Sequence, residues 1–212
     1  GIQQAYGESD PLGGHDPYSS SKAASEIVID SYQKSFFSEH HVPIATARAG
    51  NVIGGGDWSE DRLIPDAIRA WENQEILRIR RPNSTRPWQH VIEPLYGYMM
   101  LAQQVTSNHE KAEAYNFGPD IASTASVRDV INLAKNFFGE GEVMYDEVDE
   151  GPHEAGWLSL DITKAKQQLG FTPKWSLSET IEHTICWYKE LKKGQDALAL
   201  CSQQIDLYEN TQ

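Results

Sequence analysis

Short apolar runs alternate with amphipathic stretches along most of this chain, and that alternation is what most constrains its fold. Val42-Pro43-Ile44-Ala45-Thr46-Ala47 is a short apolar run that reads as a buried parallel strand. Ile76-Leu77-Arg78-Ile79-Arg80 alternates like a strand and is stopped by Pro82. Ala114-Tyr115-Asn116-Phe117 is another strand, ended by Gly118-Pro119, and Val143-Met144-Tyr145 is a weaker one. Helices are expected between them, over about Pro17–Ser38, Leu63–Asn73, Glu93–Val105 and Asp161–Leu169. Two capping boxes, Ser126-Val127-Arg128-Asp129 and Ser176-Leu177-Ser178-Glu179, open two more, the second of which stops at Gly194. The tail after Gly194 is read as either helical or loosely ordered. Strands separated by helices make this an α/β chain.

At 212 residues the chain can bury one large core, or one core and a smaller lobe. A net charge of −13 argues against a nucleic-acid backbone or an anionic membrane as partner. It still allows an anionic small molecule, because a few arginines in a cleft outweigh the global charge locally. No stretch is apolar enough to span a bilayer and no signal peptide is visible, so no membrane partner is expected. Two cysteines, Cys186 and Cys201, are too few for a disulfide framework, which makes a reducing cytoplasm the default. The seven histidines show no metal-ligand spacing, so no metal is expected. The acidic run Asp146–Glu150 reads as a solvated loop.

The chemistry is concentrated in Asp16-Pro17-Tyr18-Ser19-Ser20-Ser21-Lys22. Asp16 can cap a helix whose first turn accepts Pro17, and Tyr18 and Lys22 then share a face. A phenol ionises near pH 10 in water (about 10), and an adjacent ammonium favours the phenolate, giving a base for an alcohol proton. The same spacing occurs at Tyr188 and Lys192, but there it lies at a helix end before Lys193-Gly194, where lysines serve as dipole partners. A dinucleotide would need a glycine-rich turn between a first strand and helix. The only glycine cluster, Gly54-Gly55-Gly56, follows a late strand and runs into Asp57-Trp58. The expectation is therefore that the chain begins in the middle of a fold.

Several segments, in order, resemble the extended short-chain dehydrogenase/reductases. Tyr18 and Lys22 resemble their active-site pair; Arg48-Ala49-Gly50-Asn51-Val52-Ile53-Gly54 is similar to their strand-end segment; Arg86-Pro87-Trp88-Gln89-His90-Val91 is similar to the segment whose arginine meets a diphosphate. Tyr115-Asn116-Phe117-Gly118 and Leu158-Ser159-Leu160-Asp161 with Lys164 are similar to later landmarks. Within the family, Gly13–Tyr18, Gly55–Trp58, Ser84–His90 and His153-Glu154-Ala155 resemble the branch of nucleotide-sugar 4,6-dehydratases that uses CDP-glucose. Cytidine rests on this resemblance alone.

The resemblance implies the C-terminal part of a Rossmann-like fold with a small mixed α/β substrate lobe. Residues 1–60 would complete the Rossmann-like part, 61–194 would form mainly the lobe, crossing back near 85–120, and 195–212 would be a tail. It implies NAD as a hydride shuttle, held in part by Tyr18, Lys22 and Arg48. Tyr18 would take the proton of the sugar 4-hydroxyl, water would leave across C5 and C6, and the hydride would return at C6. Asn51, Arg62, Arg86, His153 and Glu154 are the expected contacts to the nucleotide-diphosphate sugar. Arginine suits a diphosphate because its planar fork meets two oxygens together. His153-Glu154 departs from relatives that carry an arginine near that point. Trp58 and Trp88 are open between stacking on a ligand and filling a core. An epimerase or reductase of the same family, and a non-catalytic binding or assembly module, are the alternatives. Without a glycine-rich turn the chain is expected to lack activity by itself. An unpaired edge at Val42–Ala47 predicts a homodimer or larger assembly.

Overall fold

Asp16 opens the first helix, α1 (Pro17–Tyr32), as its place in the sequence suggests. Its carboxylate accepts from the amides of Tyr18 and Ser19 at 2.9 and 3.0 Å, while Pro17 fills the first turn without losing a hydrogen bond. The structure is a computed structural model that describes residues 5–37, 39, 41–146 and 156–211. α1 continues as a π turn over Gln33–Phe37; its expected end at Ser38 lies outside the described residues.

The strands pair two by two. β1 (Thr46–Ala49) runs parallel to β6 (Ala114–Phe117), and β2 (Val52–Ile53) runs parallel to β5 (Gln89–His90). β3 (Ile76–Ile79) is parallel to β8 (Glu142–Tyr145), whereas β4 (Thr85–Arg86) is antiparallel to β7 (Ala125–Ser126). The sequence placed the first strand four residues too early. Pro43 has no N–H for a ladder, and pairing starts only where the Thr46 amide meets the Glu113 carbonyl at 3.2 Å. β1 is parallel as expected, but it is not fully buried. Among the described residues β6 is its one neighbour, so its other edge is open.

Two cores organise the helices. In the larger, α2 (Leu63–Glu72), α4 (Val127–Phe138) and α5 (Leu177–Lys192) bury Ile64, Ile68, Trp71, Val130, Ile131, Ile181 and Ile185 against β3. Each fully buried aliphatic side chain contributes on the order of 1.5–3 kcal/mol. The capping boxes at Ser126/Asp129 and Ser176/Glu179 both form, and Gly139 ends α4 in the left-handed conformation that a side chain would resist. In the smaller core, α3 (Ile92–Ser107) covers β6 with Leu101 and Val105. Phe117 meets Phe171 edge to face at 5.1 Å there, and Leu169 closes the base. The expected helix at Asp161–Leu169 is in fact a short π-helical segment, Ala165–Leu169, behind an aspartate turn.

The tail resolves into a helix, α6 (Ala197–Asn210), rather than a loose segment. Gln204 donates to the His183 carbonyl at 2.8 Å, and the Tyr208 hydroxyl donates to the buried Glu93 carboxylate at 2.6 Å. The same carboxylate accepts from the Lys174 and Trp175 amides. Burial pushes the Glu93 carboxyl up, with those hydrogen bonds pulling the other way. By contrast α1 and the π turn after it bury no residue: Ile27, Val28 and Tyr32 of the helix and Phe36 of the turn are all exposed. No helix among the described residues is long and apolar enough to cross a membrane.

Candidate active site

The chain leaves β1 at Gly50, turns at Asn51 and enters β2, so it passes from one parallel pair to another. Open α/β sheets place ligands at such strand ends. Gly50 is required there, since a Cβ would stand 2.6 Å from the Pro87 ring. A cleft of about 550 Å³ opens at this point. Tyr18 stands at one side, the Ala49–Gly54 segment and Asp57 line the wall, and Asp61–Pro65, Trp88 and Leu158 complete it.

Tyr18 and Lys22 project from the open face of α1, with the Lys22 Nζ 5.6 Å from the centroid of the Tyr18 ring. Tyr18 is 70% exposed, which leaves its hydroxyl accessible to a substrate in the cleft. Asn51 is half-buried, and its carbonyl accepts from the Gln89 amide at 2.9 Å, which fixes the turn and frees the side-chain amide. Arg62 is the N-cap of α2 but makes no side-chain capping bond, so its guanidinium is not committed to the helix. The start of α2 also turns its partial positive charge toward the cleft, which favours an anion beside Arg62. Asp57 and Asp61 line the same cleft. Asp61 holds a left-handed backbone (φ 58°), a conformation that aspartate tolerates better than most residues.

Other expected contacts lie elsewhere. Arg48 is paired with Glu26 at 2.8 Å and also donates to the Glu8 carbonyl, while Thr46 donates to the same Glu26 carboxylate at 3.0 Å. These hydrogen bonds lower the Glu26 carboxyl although burial alone would raise it. Arg86 is buried, donates to the Thr85 carbonyl at 2.9 Å and does not line the cleft. His153 and Glu154 lie outside the described residues. Trp88 is buried, donates to the Ala125 carbonyl at 3.2 Å and shows part of its surface to the cleft. Trp58 stays exposed, edge-on to Tyr188 at 5.1 Å. Among the described residues no group of three or more His, Cys, Asp or Glu could hold a metal ion.

Sequence reasoning missed Asp57, Asp61 and Leu63–Pro65 as lining. The cue was local: an aspartate turn directly ahead of the Leu63-Ile64-Pro65 helix start. A dinucleotide finds a partial fit. Tyr18 and Lys22 stand open for its nicotinamide-ribose end. The Gly54–Gly56 cluster is accounted for by α5, because a Cβ on Gly55 would fall 2.1 Å from the Trp187 ring.

Known proteins are similar to this chain in sequence and in fold. The chain is 42% identical over 209 residues to CDP-glucose 4,6-dehydratase of Salmonella typhimurium, covering 96% of this chain and 58% of that protein. It is 28% identical over 190 residues to dTDP-glucose 4,6-dehydratase of Streptomyces antibioticus, covering 86% and 52%. It thus spans little more than half the length of these curated relatives. Among solved structures, dTDP-glucose 4,6-dehydratase from Bacillus anthracis in complex with NAD superposes with a TM-score of 0.71 at 22% identity, over 91% of this chain and 58% of that one. UDP-glucuronic acid 4-epimerase from Bacillus cereus, in complex with UDP-glucuronic acid and NAD, gives 0.71 at 23%, over 88% and 59%. At these identities the structural likeness speaks for the fold alone, an α/β architecture matching part of a Rossmann-like enzyme. The GDP-mannose 4,6 dehydratase family matches residues 2–184, most of the chain, and the chain belongs to that family.

Proposed function

We propose that this chain forms the substrate cleft and acid/base pair of a nucleotide-sugar 4,6-dehydratase acting on CDP-glucose. The observation that carries this reading is one cleft that joins Tyr18 of α1, Asn51 at the end of a parallel strand and Arg62 at the start of α2. The relative with 42% identity is named for that substrate, which supports cytidine and glucose over other pairs. Tyr18 takes the proton of the sugar 4-hydroxyl, with the Lys22 ammonium 5.6 Å from the centroid of its ring. NAD, when bound, supplies the hydride acceptor that makes the 4-ketone and the donor that completes C6. Tyr18 and Lys22 hold its ribose end. The 4-ketone acidifies C5–H, so water leaves across C5–C6 once a base takes the C5 proton and an acid protonates the departing 6-hydroxyl, two groups that the family resemblance assigns to a segment other than these cleft residues. Arg62, at the positive end of α2, and the Asn51 amide hold the diphosphate. Arg86, the diphosphate contact that the resemblance implies, does not line this cleft, and the expected substrate contacts His153 and Glu154 lie outside the described residues.

In this reading residues 1–60 belong with the nucleotide-binding part and 61–194 mainly with the substrate lobe. Leu101–Phe117 and Leu160–Phe171, which share the smaller core, return to the first part. The open edge of β1 and the exposed apolar residues of α1 support a homodimer or larger assembly. A cytoplasmic setting suits two free cysteines.

Titration of the chain with CDP, followed by calorimetry and amide chemical shifts, tests the assignment. Binding with shifts at Asn51, Gly54 and Arg62 is expected. No heat and no shift at millimolar CDP, about −4 kcal/mol of binding free energy, would abandon it. Solved structures of similar score include an epimerase, so product analysis decides the reaction. With the chain joined to a relative's nucleotide-binding segment, a 4-keto-6-deoxy sugar is expected. Recovery of a 4-epimer would replace dehydration with epimerisation.

A further inference from the structure

The second Tyr-x-x-x-Lys spacing has no place in the chemistry above, yet Tyr188 reaches the cleft from behind. Its ring is buried in α5, and its hydroxyl donates to the Asp57 carbonyl at 2.6 Å, with the Gly54 carbonyl at 3.4 Å. Both carbonyls belong to the turn whose Gly54 and Asp57 line the cleft. Trp187, one residue earlier, fills the space beneath the turn so closely that Gly55 must lack a side chain. Trp58 then leans edge-on against Tyr188 at 5.1 Å. Arg69 of α2 completes the support, donating to the Trp58 and Ser59 carbonyls at 2.9 and 3.0 Å.

We propose that Tyr188 is a positioning residue for the nucleotide-sugar cleft, bracing the Gly54–Asp57 wall through its hydroxyl while Trp187 supports it from below. The proposal rests on the function assigned to the cleft, and its physical content is separable from it. A turn of three glycines has wide conformational freedom, and nothing in its own sequence selects one shape. A donor held on a helix, bonded to the Asp57 carbonyl at 2.6 Å and within 3.4 Å of the Gly54 carbonyl, restricts that freedom. The wall then meets a ligand already ordered, and the cost of ordering it is not charged against binding. Tyr188 touches no ligand in this arrangement and acts only through Asp57 and Gly54.

The test compares Tyr188→Phe with Tyr145→Phe in the 212-residue chain. Tyr145 also donates its hydroxyl, to the Asn132 side chain at 2.9 Å, and it does not line the cleft, so it controls for the loss of one hydrogen bond. The first readout is the backbone order parameter at Gly54, Gly55 and Gly56, which needs no nucleotide. It is expected to fall from the rigid range near ~0.85 toward ~0.6 in Tyr188→Phe and to stay rigid in Tyr145→Phe. The second readout is the dissociation constant for CDP, expected to rise about fivefold in Tyr188→Phe alone, the equivalent of one ordinary hydrogen bond. Unchanged glycine order parameters overturn the proposal, as does an equal fall at Gly139 and Gly141, which would mean general loosening. Lost order with CDP affinity within twofold of the native chain also overturns it. If the native chain fails to bind CDP, the functional assignment falls, and the order parameters alone decide whether Tyr188 braces the wall.

Discussion

Two tyrosine–lysine pairs of identical spacing occupy opposite environments in this molecule. Tyr18 and Lys22 stand on a helix that buries nothing, at the side of a cleft, with the ammonium near the ring face. Tyr188 is buried, its hydroxyl is bound to backbone carbonyls, and burial pushes its pKa up to about 12, with the Asp57 carboxylate adding to the rise. Lys192 is turned away to Glu72, 3.5 Å from its carboxylate. Spacing puts two side chains on one helix face. Solvation and neighbours decide whether the pair can exchange a proton or only hold a structure together. The exposed pair is available for chemistry, whereas the buried Tyr188 of the second pair is architecture.

The comparison is broken most directly by activity. With a nucleotide-binding segment supplied, Tyr18→Phe is expected to lower kcat by about 10²–10⁴-fold, the usual loss of a general acid/base. Tyr188→Phe is expected to leave kcat within about threefold and to act on KM. Equal losses of kcat from both variants would erase the distinction. Stability reverses the order: Tyr188→Ala should cost about 3–5 kcal/mol by emptying a buried aromatic site, and Tyr18→Ala less than about 0.5 kcal/mol. Urea denaturation measures both.

A third test concerns the solvation of the buried region. His90 lies against Trp175 at 4.8 Å, and its pKa is lowered to about 3 by burial, with the charge of His183 adding to the fall. Between pH 6.5 and 3 the unfolded chain binds a proton at this position that the folded chain refuses. The stability it preserves is therefore complete above pH 6.5 and is lost as pH falls toward 3. Going from about pH 7 to about pH 5 should cost about 2 kcal/mol from this group, and His90→Asn should remove that part of the slope. Thermal unfolding across the pH range reads it. The smallest effect is expected at Lys192→Gln, under about 0.5 kcal/mol, because the Lys192 ammonium is exposed and its attraction to Glu72 is screened. A larger loss there would show that the second pair works as a unit after all.

Much of the fold was legible in advance where a local signal existed. The capping boxes at Ser126 and Ser176, the stop at Gly194 and the strand Ala114–Phe117 follow from turn chemistry and short apolar runs, and all occur. β2, β4, β5 and β7 were not legible: each has two residues and is defined by its partner rather than by a pattern of its own. The start of β1 was misplaced because apolar residues before Thr46 suggested a ladder that Pro43 cannot join. At the site, Tyr18, Asn51 and Arg62 converge on one cleft, while Arg48 turns to Glu26 and Arg86 stays out of the cleft lining.

By itself, the sequence determined the α/β class, the helix boundaries set by caps and glycines, and a Tyr18/Lys22 pair on one helix face. Those follow from interactions between residues a few positions apart. Only the tertiary structure decided that Tyr188 is buried against the glycine turn, which arginine lines the cleft, and that the turn rests on Trp187 and Tyr188. Those outcomes depend on burial and on contacts more than a hundred residues apart, such as Tyr188 to Asp57, which no local pattern encodes.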